Sequence, residues 1–312
     1  VGTDISGAAL SANLNNANVI IQTASEGTGN GDIFVNEAVS WSTNNTLTME
    51  AYRHINVNAN MTATGDTAGL VMTPNTGGGG GSYYLNNGAV ITLSGLAPGL
   101  TIDGNVYTVI NEANGGIAAL QNMNNNLSGY YALGSNISAA ATSKWNAGFG
   151  FVPIGNNTTA FTGQFDGLGH TVTKLTINRP TEDNIGLFGW NNGTVMNVSL
   201  VKGKIVGADN VGALAGFNSG TIDNASSATQ VTGGTVVGGL VGFNSGGVIT
   251  DSYATGSVTG IGAIGGGVIL AMDLDHDGDI DVTSTINSGS VVGGLVGLND
   301  SGMIDDSSAS GS

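Results

Sequence analysis

The 312-residue chain contains no cysteine, so neither a disulfide framework nor a thiolate metal site can be built into it. It is almost as poor in positive charge, with six Lys and Arg against 22 Asp and Glu and a formal net charge of −16. Nucleic acid and anionic membrane surfaces are bound through clustered basic residues, so neither is an expected partner. Charged residues are only 9% of the chain and hydrophobic ones 40%, the reverse of a disordered composition. No apolar run approaches the roughly 18 residues of a membrane span, which excludes insertion as a helix. His54, His170 and His276 each stand alone, and no Gly-x-Ser-x-Gly nucleophile elbow is present. Glu182-Asp183 and Asp305-Asp306 are acid/base candidates by residue type only. The basic residues Arg53, Lys144, Lys174, Arg179, Lys202 and Lys204 look scattered. The chain is therefore read as non-catalytic, with a polysaccharide-active enzyme as the least favoured of three functional readings.

What the chain has in quantity is glycine, 54 residues of it, and the glycines keep register with apolar positions. Five similar runs begin at Ile185, Val211, Val237, Ile264 and Val292, at steps of 26, 26, 27 and 28 residues. After the apolar run comes a corner of Asn, Ser and Gly (Asn191-Asn192-Gly193, Asn218-Ser219-Gly220, Asn244-Ser245-Gly246, Asn299-Asp300-Ser301-Gly302), then a second short strand. A period of this length with strand composition marks stacked units that cannot bury their apolar faces alone. The expected fold class is all-β, a parallel β-helix. Gly260-Ile261-Gly262-Ala263-Ile264-Gly265 spells a dinucleotide-binding run, but no strand-helix unit follows it. Its glycines belong to the repeat.

Upstream, Leu47, Met49 and Ala51 alternate with polar residues, as do Ile55, Val57, Ala59 and Met61. Alternation of period two points one set inward. Asp32-Ile33-Phe34-Val35-Asn36 recurs as His54-Ile55-Asn56-Val57-Asn58, a step of 22 residues. Residues 1–76 accordingly read as strands without a helix. The run Asp32 to Asn36, then Trp41-Ser42, then Thr46 to Ala63, resembles the filamentous-haemagglutinin type of two-partner-secreted bacterial adhesin. The array from residue 185 onward resembles the GLUG repeat of similar surface proteins. The resemblance implies a right-handed helix, export through an outer-membrane secretion partner, an extracellular or cell-surface location and a role in adhesion. The Asn-Pro-Asn motif of that family's secretion domain is absent, and the sequence reads as a piece of something longer.

Three segments follow from this reading: haemagglutinin-like repeats over 1–76, strands with a loop and a short helical insert over 77–184, and GLUG-like repeats over 185–312. Gly77 to Gly81 mark a loop or soft boundary. Ile117, Leu120 and Met123 fall three apart, which predicts one short helix between Ile117 and Asn125. Residues 128–166 hold Tyr130, Tyr131, Trp145, Phe149, Phe151, Phe161 and Phe165. Most of these are expected to fill the core, with Trp145, Phe149 and Phe151 as candidate ligand contacts.

The sharpest local motif is Asp273-Leu274-Asp275-His276-Asp277-Gly278-Asp279-Ile280-Asp281, in the fourth repeat copy. Calcium takes six to eight hard oxygen ligands, and carboxylates at positions one, three and five with Gly at six can wrap one ion. Asp273, Asp275, Asp277 and Asp281 are the expected side-chain ligands and Asp279 supplies a backbone oxygen. Ser284 stands where an EF-hand has its bidentate Glu; the loop resembles those of dockerins and extracellular modules more closely. Calcium here is expected to be structural. The leading functional expectation is a secreted adhesin segment that meets a host or neighbour-cell receptor or glycan. A structural filament built by end-to-end self-association through unpaired strand edges is the alternative.

Overall fold

Alternating burial along short strands decides this architecture. In the computed structural model, which describes residues 4–24, 29–262 and 290–310, the chain is mostly β, and its sheets are parallel apart from one hairpin and an isolated bridge. It divides into two compact units. The first comprises Val1–Gly116, Tyr130–Asn136 and Leu168–His170; the second comprises Ile117–Gly129, Ile137–Gly167 and Thr171–Ser312.

In the first unit, strands one repeat apart pair in register. Ile33 lies beside Ile55 and Ile55 beside Tyr83; Val39 beside Met61 and Met61 beside Ile91; Leu47 beside Leu70 and Leu70 beside Leu100. Leu47, Met49, Ile55, Val57 and Met61 are fully buried, so the period-two reading holds. The 22-residue step appears as an amide bond from Asn58 Nδ2 to Asn36 Oδ1 at 2.7 Å. The next step lengthens to 28 residues, seen in Asn86 donating to Asn58, because the glycine-rich loop around Gly77–Gly81 is inserted between strands that still pair. Arg53 grips Asp32 with two nitrogens, at 2.8 and 2.5 Å, and the guanidinium holds the carboxyl down at about 2. His170 is buried, its Nε2 3.0 Å from the Ile91 carbonyl, and burial lowers its pKa to about 4.

Two features of this unit depart from the expected pattern. Gly7–Leu14 is an α-helix, α1, capped by Ser6, whose Oγ accepts from the Ala9 N–H. Residues 1–76 are therefore not all strand and turn. Only Leu10 and Leu14, four apart, mark its buried face, and two apolar positions are too few to announce a helix in a strand-rich context. Side chains from α1 and the residues after it accept from backbone N–H groups nearby: Ser11 from Ser40, Asn15 from Ser42, Asn18 from Thr46. The strand Val39–Trp41 is thus covered on that side, where the sequence showed no capping element. The second departure is the antiparallel hairpin of Gly99–Ile102 with Asn105–Ile110. Asp103 and Gly104 turn it with φ of 49° and 77°, the left-handed pair that a two-residue hairpin requires.

The second unit contains the expected helical insert, an α-helix α2 at Gly116–Gln121 running into a 3₁₀ turn at Asn122–Asn125, with Leu120 and Met123 fully buried. Gln121 exchanges two hydrogen bonds with the Val152 backbone, and Asn124 bonds Pro153 O and Gly155 N. These amide side chains do the work that a strand's backbone would do.

Strands from successive repeats then stack in parallel: Phe188–Asn191, Ala215–Asn218, Val241–Ser245 and Val296–Asp300 form one sheet. Inside it runs a row of asparagines. Asn191 Nδ2 donates to Asn218 Oδ1 at 2.8 Å, Asn218 to Asn244 at 2.8 Å, and Asn244 to Asn299 at 2.7 Å. The second donor of Asn218, Asn244 and Asn299 goes to a corner carbonyl, of Gly220, Gly247 and Gly302 respectively. Repeat glycines let the backbones close on one another: a Cβ on Gly216 would lie 2.3 Å from backbone atoms of Asn184 and Ile185.

The row steps by 27 and 26 residues and then by 55. The third copy therefore pairs directly with the fifth. In the third copy Gly233 and Val236 are separated by Gly234 and Thr235; their partners Gly260 and Val291 are separated by residues 261–290. Both ends of this segment rest on one corner. Ile261 N–H donates to Gly233 O, Val291 N–H to Thr235 O, and the Ser290 hydroxyl to Gly234 O. Relative to the third copy, the sequence inserts residues between Gly260 and Val291 at this corner; the Asp-rich stretch, which the sequence reading places in a fourth copy, lies outside the described residues.

Two expectations follow. Asn218→Ala strips a partner from both Asn191 and Asn244 in a dry interior and should cost on the order of 2–4 kcal/mol in denaturant unfolding, against less than about 0.5 for the exposed Asn16→Ala. Removing residues 263–289 and joining Gly262 to Ser290 reduces the 55-residue step to 28, close to its neighbours of 26 and 27. That deletion should keep the far-ultraviolet circular dichroism and a single cooperative melt.

Candidate binding cleft and acidic corner

Both arginines are engaged, Arg53 with Asp32 and Arg179 with Glu182. These are the ion pairs among the described residues; Lys144, Lys174, Lys202 and Lys204 have none. The fold draws the lysines together. Lys174 follows the strand Thr171–Thr173, which pairs with the start of Ser199–Val206, and the Lys174 N–H donates to Val201 O at 2.8 Å. Lys174 and Lys202 thus sit one rung apart, about 4.8 Å in a parallel sheet. Lys204, two residues on, pairs with Thr176. The register shifts between Val201 and Lys204, a bulge that re-aims the strand where the lysines lie.

These three exposed lysines, with Ser143, Thr176 and Gln230, line a surface cleft of about 550 Å³. No carboxylate lines it. Lys174 and Lys202 hold φ of 60° and 58°, a left-handed backbone that costs a side-chain-bearing residue roughly 1–2 kcal/mol. Such strain persists where the surrounding structure enforces it. Three of the basic residues that look dispersed in sequence, Lys174, Lys202 and Lys204, form one cluster in the second unit. The signal was the repeat length: Lys174 and Lys202 stand 28 residues apart.

The proposed aromatic contacts divide. Phe151 is fully buried and packs in the core, so it is not a surface contact; Trp145 is half-buried and stacks on it with centroids 6.5 Å apart. Phe149 is 49% exposed. Phe161 and Phe165 are buried and meet Phe188, as a core-filling role requires. An unanticipated row, Trp190, Phe217 and Phe243, runs half-buried along one sheet with centroids 5.4 and 5.1 Å apart. It too is visible only once the repeats are laid in register.

Acidic groups gather at another corner. Asn197, Asn224, Asp251 and Asp306 all adopt positive φ between 44° and 56° at equivalent turns. Asn224 Nδ2 donates to Asn197 Oδ1 at 2.8 Å. Asp251 takes the asparagine's place, and desolvation together with Asp223, Asp306 and Asp305 pushes its pKa up. Among the described residues no three of His, Asp and Glu are placed to hold a metal. Asp273, Asp275, Asp277, Asp279 and Asp281 lie outside the described residues. No described helix is long and apolar enough to cross a membrane.

The GLUG motif model matches residues 233–259 and 288–312. It leaves out the stretch that the pairing also leaves out. Over 127 residues the chain is 37% identical to Halomucin of Haloquadratum walsbyi, which covers 35% of this chain and 1% of that protein. No solved structure matches the chain.

A raised carboxyl pKa means that the ionised form weakens the fold. This penalty is present above the folded pKa and vanishes below the unfolded value. Asp251→Asn should therefore raise the melting temperature at pH 7, and the gain should fade as the pH falls towards about 4 and be absent below it. A pH series of thermal melts measures it.

Proposed function

We propose that the chain is a non-catalytic segment of an extracellular adhesin, wound as a right-handed parallel β-helix and attaching to cells, matrix or glycans. The observation that carries this reading is the parallel pairing of successive repeats, which brings residues one repeat apart into rows along an outer face. The GLUG match and the similarity to Halomucin support an extracellular surface protein. Kinship with filamentous-haemagglutinin adhesins, and export through an outer-membrane partner, extend the reading from the residues 32–63. Calcium bound by Asp273, Asp275, Asp277, Asp279 and Asp281 would pin the corner insertion, since so many neighbouring carboxylates repel one another without a cation.

A second reading, end-to-end assembly, is favoured by one observation. The strands Val291–Gly293, Val296–Asp300, Met303–Asp305 and Ser308–Ala309 have partners on one side only among the described residues. Open strand edges template further pairing.

Attachment is tested with beads coated with the purified chain, presented to cells and matrix with and without millimolar calcium. Specific retention that soluble chain competes away is expected, strengthened by calcium; no retention in either condition contradicts the adhesin reading. Electron microscopy of the same protein distinguishes assembly, which would show fibres with an axial repeat.

A further inference from the structure

Three like charges held within one cleft repel one another unless an anion lies among them. Among the described residues the chain supplies none: no carboxylate lines the cleft, and neither arginine-bound acid, Asp32 or Glu182, is among its walls. Yet the sequence keeps Lys174 and Lys202 on adjacent rungs, both at left-handed positions where Asn or Gly would sit more easily. At most other left-handed positions of this unit the residue is Asn, Asp or Gly. Lysine at both positions of this row is therefore explained better by what it meets than by the turn it makes.

We propose that this cleft binds an anionic glycan, with Lys174, Lys202 and Lys204 meeting its sulfate or carboxylate groups and Ser143, Thr176 and Gln230 its hydroxyls. A volume of about 550 Å³ falls among those of built ligand sites, roughly 300–1,000 Å³, and exceeds what one inorganic anion fills. The neutral hydroxyl and amide groups between the lysines suit a ligand that is itself mostly hydroxyl. Duplex nucleic acid, with a charge every 1.7 Å or so, would meet a chain of net charge −16 wherever it left the lysines. A glycan, with its charges spaced further apart, has to satisfy this short row alone. Lys144 adjoins Ser143 in sequence, on the 3₁₀ segment Ala140–Gly148 that forms one wall, and extends the positive field. The inference supplies a ligand class for the adhesin reading, but it is tested on the isolated chain, so it survives if attachment to cells fails.

Calorimetric titration of the full chain with short oligosaccharides of a sulfated glycosaminoglycan, of a polyuronate and of a neutral glucan tests it, at low and high salt. Binding of at least one anionic series, weakened by salt, and none of the neutral glucan is expected. The better series tells sulfate from carboxylate recognition. K174N/K202N/K204Q, in which asparagine accepts the left-handed turns, should bind roughly tenfold or more weakly with unchanged circular dichroism. Should that variant misfold, K204Q alone should still weaken binding several-fold. The proposal is overturned if neither anionic series binds at low salt, if the folded variants bind like the original chain, or if inorganic sulfate or a DNA duplex binds as tightly as the oligosaccharides.

Discussion

A buried asparagine side chain has two N–H donors and an acceptor oxygen to satisfy with no water in reach. In the second unit three of them, Asn191, Asn218 and Asn244, form a row that ends on the half-buried Asn299. Asn191, Asn218 and Asn244 all donate in the same direction along the row, which ends with Asn299 as acceptor, and corner carbonyls take a further N–H from Asn218, Asn244 and Asn299. Because each amide is useful only when its neighbour stands directly beside it, the row makes register a condition of stability. A slip of one residue would turn every side chain to the opposite face. Apolar rungs such as Leu187, Leu214, Leu240 and Leu295, all buried, add the larger share of stabilisation but care less which neighbour they meet.

Strict register has a consequence for the surface. A residue at an outward position has its register partner about 4.8 Å away on the next rung, so wherever the repeats keep a residue type the fold builds a row. The same rule that makes the buried Asn row makes the Trp190–Phe217–Phe243 row, the acidic corner around Asp251 and the lysine cleft. Only the last lacks internal compensation. The corner acids are partly relieved by hydrogen bonds, such as Thr250 donating to Asp223 at 2.6 Å. Insertions are accommodated at corners, where a segment that departs from and returns to one turn leaves the ladder intact.

The parts legible in sequence are those with a period. Leu47 and Met49 announce an inward face by alternation, and the 22-residue step and the helix at Gly116–Gln121 were readable in the same way. Features that depend on a single local residue type were not. The Asp103-Gly104 hairpin hides in a strand-rich stretch that reads as more of the same, and α1 rests on Leu10 and Leu14 alone. The run at Ile264 spells the repeat in glycine and valine, but it lacks the asparagine of the row. Seven positions after Val211, Val237 and Val292 stands an asparagine of the row; seven after Ile264 stands Ala271. The lysine cleft was missed because sequence distance was taken for spatial distance, which a repeat fold abolishes once per turn.

The central claim is that the asparagine row continues from Asn244 to Asn299 across the corner insertion. The chain has no native cysteine, so a pair placed one residue beyond that contact reports on it directly. Ser245 and Asp300 are register partners, and neighbouring parallel strands bring Cα atoms within disulfide range. Mild oxidation of the S245C/D300C variant should give a monomeric intramolecular disulfide in high yield. If the pair stays reduced, while a cysteine at Ser245 instead links to one placed between 264 and 287, the fourth copy is a rung after all and the account is wrong.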